Sequence, residues 1–276
     1  MNRGLTKLTK ILIYDIYSSY GCFKKYYTTS SILTYDFPPK TSLIGMVGSI
    51  LGYNRNSKEI KKLNDTKIGV CILNPINKIH QGINWLNTKV KNVKKIEDEI
   101  QSYFEPIKKY SNNDFYGFVG INKNKPSSLQ LLKNPKFRIF LSIENFDEYP
   151  KFSNSIRNHH YYYSPYMGQT EFLCSVNYVD EIESELKKCD LESNYIIMNS
   201  IIPQSYLLKK EDQHQIDIPE ESSIIVEQMP LEYNNDITEF HKIIYDKSRE
   251  PIKVLVKEYY KISSQSLEED YNIILF

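Results

Sequence analysis

Several things this sequence lacks narrow its reading before any motif is considered. Its four cysteines, Cys22, Cys71, Cys174 and Cys189, are widely and irregularly spaced with no Cys-x-x-Cys pair, so neither a zinc site nor a disulfide framework is signalled. They read as small apolar residues. The longest apolar run without a charge, Ser42 to Tyr53, is far short of the roughly 20 residues that span a bilayer. The early apolar stretch at Ile11 is interrupted by Asp15 and has no small-residue cleavage site after it, so a cytoplasmic protein is expected. There is no Gly-x-Gly-x-x-Gly, no phosphate-binding loop ending in Gly-Lys-Ser/Thr, no Gly-x-Ser-x-Gly elbow and no His-Glu-x-x-His. No cofactor, resident metal or catalytic residue is therefore expected.

What remains is an ordinary globular composition, 41% apolar and 25% charged over 276 residues, with a lopsided distribution of charge. Residues 1–140 carry 23 Lys and Arg against 9 Asp and Glu, a balance of +14, whereas residues 141–276 carry 12 against 25, a balance of −13. A bias in the coding gene accounts for lysine outnumbering arginine 30 to 5, but not for acids avoiding the first half. A polyanion partner for that half follows, because lysine clusters gain affinity by releasing counterions from phosphates.

Lys10 to Tyr17 reads as a strand rich in Ile and Tyr. After a polar loop, the Pro38-Pro39 stop leads into an apolar helix with Thr41 or Ser42 as candidate N-cap. Gly45, Gly48 and Gly52 share one face of that helix, and each interior glycine costs about 1 kcal/mol, so close approach of the helix to a sheet is expected. Thr66 to Leu73 and Lys136 to Glu144 read as further strands, Tyr149 to Tyr163 as a helix or turn, and Phe172 to Val179 as a strand. Strand, helix, strand, arm, strand, helix, strand is the split β-α-β order of a ferredoxin-like α+β domain, placed at residues 1–191. A small β-rich C-terminal unit, 192–276, carries strands at Tyr195 to Leu208, Ser223 to Tyr233, Pro251 to Ile262 and Tyr271 to Phe276.

Between the second and third strands lies a lysine-rich stretch without sustained periodicity, about 84–135, which reads as an inserted arm. Lys94 with Asp98 and Lys95 with Glu99 have the spacing of an exposed salt-bridged helix, which accounts for those lysines but not for Lys89 and Lys91. Asn84, Trp85, Asn87, Lys123, Lys125, Lys133, Lys136 and Arg138 add donors and one large ring to the arm and its base. Basic groups interleaved with rings suit single-stranded RNA, whose bases stack while its phosphates meet lysines. The acidic clusters Glu97 to Glu99 and Glu181 to Glu185 read as solvated faces. The adjacent His159 and His160 are the weak candidates for a metal-independent ribonuclease; a helix end with partly buried rings is the plainer reading.

The block Tyr35-Asp-Phe-Pro-Pro-Lys-Thr-Ser-Leu-Ile-Gly-Met-Val-Gly-Ser-Ile-Leu-Gly-Tyr53 closely resembles the N-terminal signature of the Cas-five family, the RAMP-type subunit of type I CRISPR surveillance complexes (Cascade). Asn84-Trp-Leu-Asn-Thr-Lys89, Leu131-Leu-Lys-Asn-Pro-Lys-Phe-Arg-Ile-Phe140 and Tyr166-Met-Gly-Gln-Thr-Glu-Phe172 resemble its type I-B branch, in the same order. Val226-Glu-Gln-Met-Pro-Leu-Glu232 and Tyr271-Asn-Ile-Ile-Leu-Phe276 are similar to its C-terminal part. The resemblance implies an RNA-recognition-like ferredoxin fold with a protruding β-hairpin thumb. It implies binding to the 5′ handle of the guide RNA (crRNA), a place at one end of the backbone filament, contact with backbone and large subunits, and only indirect contact with target DNA. It places Lys89, Lys91, Lys123 and Lys125 on phosphates, with Lys24 and Lys25 from the first loop. Phe37, Pro38, Pro39 and Thr41 with the glycine face take a structural role. Type I-C members cleave precursor RNA themselves, whereas type I-B systems carry a separate nuclease, so the resemblance implies no catalysis here. The segment Asn124-Lys-Pro-Ser-Ser-Leu-Gln130 departs from the family's pattern.

Overall fold

Ten residues, Leu8–Tyr17, form strand β1, which is apolar on both faces and therefore buried on both. Leu12, Tyr14 and Ile16 point into one core, while Ile11 and Ile13 point into another on the opposite side. The computed structural model describes residues 8–29, 31–54, 57–85, 125–142, 147–189, 194–209, 214–219, 222–230 and 240–276. Over these it is mixed and mostly β-sheet, with few helices. In chain order the strands that follow are β2 (Tyr20–Gly21), β3 (Ile68–Ile72), β4 (Asn77–Trp85), β5 (Lys125–Lys133), β6 (Lys136–Ser142) and β7 (Ser175–Lys188). Then come β8 (Ile196–Met198), β9 (Ile202–Pro203), β10 (Ile216–Asp217), β11 (Ile224–Pro230), β12 (Phe240–Asp246), β13 (Ile252–Val254), β14 (Glu258–Ile262) and β15 (Tyr271–Ile273). The helices are α1 (Lys40–Leu51), α2 (Lys58–Leu63) and α3 (Tyr149–Arg157).

The main sheet runs β3-β6-β1-β7-β14-β15 with every neighbouring pair antiparallel. Helix α1 connects β1 to β3, with α2 on the way, and α3 connects β6 to β7. Both α1 and α3 bury their apolar residues in the core that holds Leu12, Tyr14 and Ile16; Phe152 of α3 meets Tyr14 edge to face with centroids 5.9 Å apart. The opposite core is closed by the C-terminal strands, where Tyr260, Ile262, Tyr271 and Ile273 pack with Ile11, Ile13, Cys71 and Phe140. The late strands β14 and β15 are thus part of the main sheet itself, with β14 pairing directly with the end of β7.

Several expectations are corrected. Helix α1 starts at Lys40, so Thr41 and Ser42 lie in its first turn and the N-cap is Pro39 with no side-chain cap. The Pro39 carbonyl instead accepts from the Ser42 and Leu43 amides, and the proline ring presets the extended entry to the helix. The glycine face is not turned to the sheet, which meets Leu43, Val47 and Ile50 instead. A Cβ on Gly48 would meet Ile60 of α2, Gly52 is the left-handed C-cap (φ +82°) beneath the Tyr162 ring, and Gly45 faces open space. Strand β7 continues well past Val179, so the acids at 181–185 lie on a paired strand, with Glu183 and Glu185 exposed as a solvated face requires. Strands β4 and β12, unread in the sequence, are both present. None of the four cysteines forms a disulfide. Burial pushes the Cys22 and Cys174 thiols up to about 11 and about 12, so they behave as apolar fillers.

Candidate nucleic-acid interface

The base of the arm is an antiparallel pair, β4 with β5, running from Asn77 opposite Lys133 to Trp85 opposite Lys125. Ile79 and Ile83 of β4 pack with Leu129 and Leu131 of β5 and the buried Cys22, which fixes the pair against the first loop. Short strand β2 extends it, placing Tyr20 beside Lys133.

From β5 the chain passes into β6 through Asn134 and Pro135. Asn134 has φ +51°, a left-handed conformation that asparagine tolerates better than most residues. Its amide donates to the Ser19 carbonyl at 2.8 Å, its carbonyl accepts from Asn74 Nδ2 at 3.0 Å, and Ser18 N donates to the Pro135 carbonyl at 3.2 Å. Two open hollows flank this locked turn. One, of about 590 Å3, is lined by Asn74, Asn77, Lys78, Lys133 and Asn134. The other, of about 360 Å3, is lined by Tyr17, Ser18, Ser19, Lys136, Leu173 and Ser175. Among the described residues, neither is lined by an acid. Lys133 is exposed, Lys136 is half-buried, and neither has an ion-pair partner among the described residues. Amides, hydroxyls and two uncommitted ammonium groups around a tyrosine are what a phosphodiester chain with unpaired bases can use.

The other residues singled out in the sequence fall in different places. Lys24 is exposed beside the bridge it forms with Thr34. Lys25 is tied to Glu227 of β11 and lies 5.5 Å over the Tyr35 ring. Arg138 is committed inside the chain: Nε and Nη2 donate to the two Asp15 carboxylate oxygens at 2.8 and 3.0 Å, and Nη1 donates to the Tyr271 hydroxyl at 3.0 Å. Asn84 is exposed on β4; Trp85 and Lys125 end the two paired strands. Asn87, Lys89, Lys91 and Lys123 lie outside the described residues, as do Glu97 to Glu99. Phe37 is buried against Tyr245, with centroids 5.0 Å apart. His159 and His160 come after the end of α3 and are both exposed, not partly buried; His159 Nδ1 lies 3.1 Å from the Tyr161 hydroxyl, which donates to the Val176 carbonyl.

Three features had no signal strong enough to be singled out in the sequence. Asp36, inside the Phe-Pro-Pro block, is buried and holds Lys78 of β4, the Tyr245 hydroxyl at 2.8 Å and Lys247 at 3.6 Å. It anchors the arm to β12. Burial, aided by the charges of Asp36 and Glu227, holds the Tyr245 hydroxyl far above the ordinary tyrosine range. Asn74 and Asn134 were visible only as the ends of strands, and their pairing across the turn needs the fold. A further hollow of about 450 Å3 opens on the outer side of α1 between Ser42, Gly45, Ser49, Tyr53, Lys61 and Tyr163.

Residues 11–223 match the family model described as CRISPR-associated protein (Cas_Cas5). No curated protein matches the sequence. The fold is similar to a CRISPR protein from Archaeoglobus fulgidus, at 14% identity and TM-score 0.49, covering 97% of this chain and 100% of that one. It is similar to a chain of a CRISPR RNA-guided surveillance complex at 12% identity and TM-score 0.48, covering 88% and 90%. A chain of a Type III-B Cmr-beta complex bound to cognate target RNA and AMPPnP is similar at 11% identity and TM-score 0.41, covering 88% and 86%.

Proposed function

Because this chain belongs to the Cas-five family of CRISPR-associated proteins, we propose that it is a non-catalytic RNA-binding subunit of a type I-B-like Cascade complex. It holds the 5′ handle of the guide RNA, caps one end of the backbone filament in antiviral defence, and works in the cytoplasm. Its partners are the guide RNA and the backbone and large subunits, with target DNA reached indirectly. No helix among the described residues is long and apolar enough to cross a membrane.

The observation that carries this reading is the lysine-bearing surface around Asn134, lined by no acid among the described residues, at the foot of the arm and in the basic half of the chain. The strand order β7-β1-β6-β3 with α1 and α3 on one face supports a ferredoxin-like, RNA-recognition-like core for residues 1–191, with 192–276 as a β-rich C-terminal unit that lends β14 and β15 to the sheet. The β4 and β5 pair supports a thumb whose root is fixed by Asp36. Handle phosphates meet Lys133 and Lys136, and Lys24 contributes from the first loop. Arg138 and Lys25 serve RNA only indirectly, because their charges are already met by Asp15 and Glu227.

The test is the purified chain with labelled precursor guide RNA, with and without its 5′ handle, in EDTA at two salt concentrations. The expected result is handle-dependent binding that weakens steeply with salt, and no cut product. Cutting that disappears in His159→Ala or His160→Ala would make the chain a metal-independent endoribonuclease instead. A folded chain that binds no RNA would reduce the basic surface to a protein-docking role.

A further inference from the structure

Tyr26 and Tyr27 sit at the two tip positions of a turn held by several contacts. The Thr28 amide and hydroxyl both donate to the Lys25 carbonyl, at 3.2 and 2.9 Å, and the Lys25 amide donates to the Leu33 carbonyl at 2.9 Å. Lys24 bridges to Thr34, and the Lys25 side chain is tied to Glu227 on β11. Behind the turn the Phe240 ring lies 4.3 Å from that of Tyr26, and the Tyr26 and Tyr27 rings stand perpendicular with centroids 5.2 Å apart. Despite this support, Tyr26 is 57% exposed and Tyr27 56%.

Two large rings exposed on a hydrogen-bonded turn, with Tyr26 backed by Phe240, form a surface that loses less conformational entropy on binding than flexible side chains would. The charge around them selects the partner. Lys24 beside the turn and Lys242 on β12 are exposed, while among the described residues Glu227, tied to the Lys25 side chain, is already neutralised. A flat ring with a phosphate on either side fits this setting. Every nucleobase offers a face to stack, and the lysines meet the backbone. An acidic protein segment would use the lysines but not the ring faces.

We propose that Tyr26 and Tyr27 form a stacking platform for an unpaired base of the bound guide RNA. This rests on the RNA-binding reading above and adds a second contact, carried by rings rather than by charge. The platform takes any base, since stacking reads no hydrogen-bonding edge, so it sets the path of the strand and not its sequence.

The test uses the full chain and handle RNA carrying 2-aminopurine at successive positions. Wild-type protein is expected to quench one position or two adjacent ones. The double variant Y26A/Y27A loses that quenching and binds about tenfold more weakly, with the slope of log affinity against log salt unchanged. Y26F/Y27F keeps both quenching and affinity, because the ring and not the hydroxyl does the stacking. Equal affinity and equal quenching in wild type and Y26A/Y27A would overturn the platform while leaving the RNA-binding reading intact. A wild-type chain that binds no handle RNA would overturn both. If Y26A/Y27A bound RNA normally but failed to join the other subunits, the turn would be a protein contact and the proposal would be wrong.

Discussion

The hydroxyl of Tyr245 donates to the carboxylate of Asp36 at 2.8 Å, across 209 residues of chain. Asp36 also holds Lys78 at the root of the arm, and Lys247 stands 3.6 Å away, so one buried acid gathers β4, β12 and the start of α1. Glu227, 3.3 Å from the same hydroxyl, extends the network to Lys25.

Asp36→Ala is expected to destabilise the protein by about 3 to 5 kcal/mol, because it strands the Lys78 charge and the Tyr245 hydroxyl in a largely buried site. Denaturant unfolding measures it. A loss below about 1 kcal/mol would mean that water or a neighbouring carboxylate replaces the acid.

Lys133→Ala and Lys136→Ala should leave stability within about 0.5 kcal/mol of wild type while each lowers the salt slope of RNA binding by about 0.7. Arg138→Ala should do the reverse: it leaves Asp15, which is only 8% exposed, without its partner, costs about 3 kcal/mol, and leaves the slope alone. Titrations at several salt concentrations, paired with thermal melts, separate the two kinds of residue. An Arg138 variant that is stable but has a smaller slope would put the guanidinium on a phosphate.

Gly45 within α1 and Gly52 at its C-cap should respond differently. Gly45 has nothing within 4 Å of a built Cβ, so Gly45→Ala gains helix propensity and stabilises by up to about 1 kcal/mol. Gly52 has φ +82° and the Tyr162 ring 2.6 Å from a built Cβ, so Gly52→Ala costs about 1 to 2 kcal/mol from backbone strain alone, and the ring must also shift. Melting temperatures of the two variants should therefore move in opposite directions.

How much of this was legible in the sequence depended on whether the signal was local. Strand β6 alternates cleanly and reads as a strand at once; the pairing of its Arg138 with Asp15 does not, because 123 residues separate them. Strand β4 escapes notice because Gly82 and the polar residues Lys78, His80 and Gln81 obscure the two isoleucines, Ile79 and Ile83, that face the core. The glycine spacing in α1 is real, but periodicity shows only that three residues share a face. What that face meets, α2 and Tyr162 rather than the sheet, is a tertiary fact. The same holds for the candidate interface. Two lysines around Asn134-Pro135 are plain to see, whereas the hollows on either side need β1, β4 and β7 to end at the same place.

Alkaline pH should unfold the protein through its buried tyrosines. Burial lifts the hydroxyls of Tyr14, Tyr35 and Tyr245 well above the ordinary value, in each case as the largest cause. A group whose folded pKa is raised favours the native state fully below its unfolded pKa, about 10 for tyrosine, and that contribution is lost as pH climbs from there toward the folded value. Stability should therefore hold level to about pH 9 and fall above about pH 10, with tyrosinate absorbance and loss of near-ultraviolet dichroism rising together. Tyr245→Phe removes the group facing two carboxylates. It should blunt the alkaline fall while costing stability at neutral pH, where Asp36 loses a donor. Full ionisation of the buried rings with the native dichroism intact would show that these hydroxyls reach solvent without unfolding, and would sink the prediction.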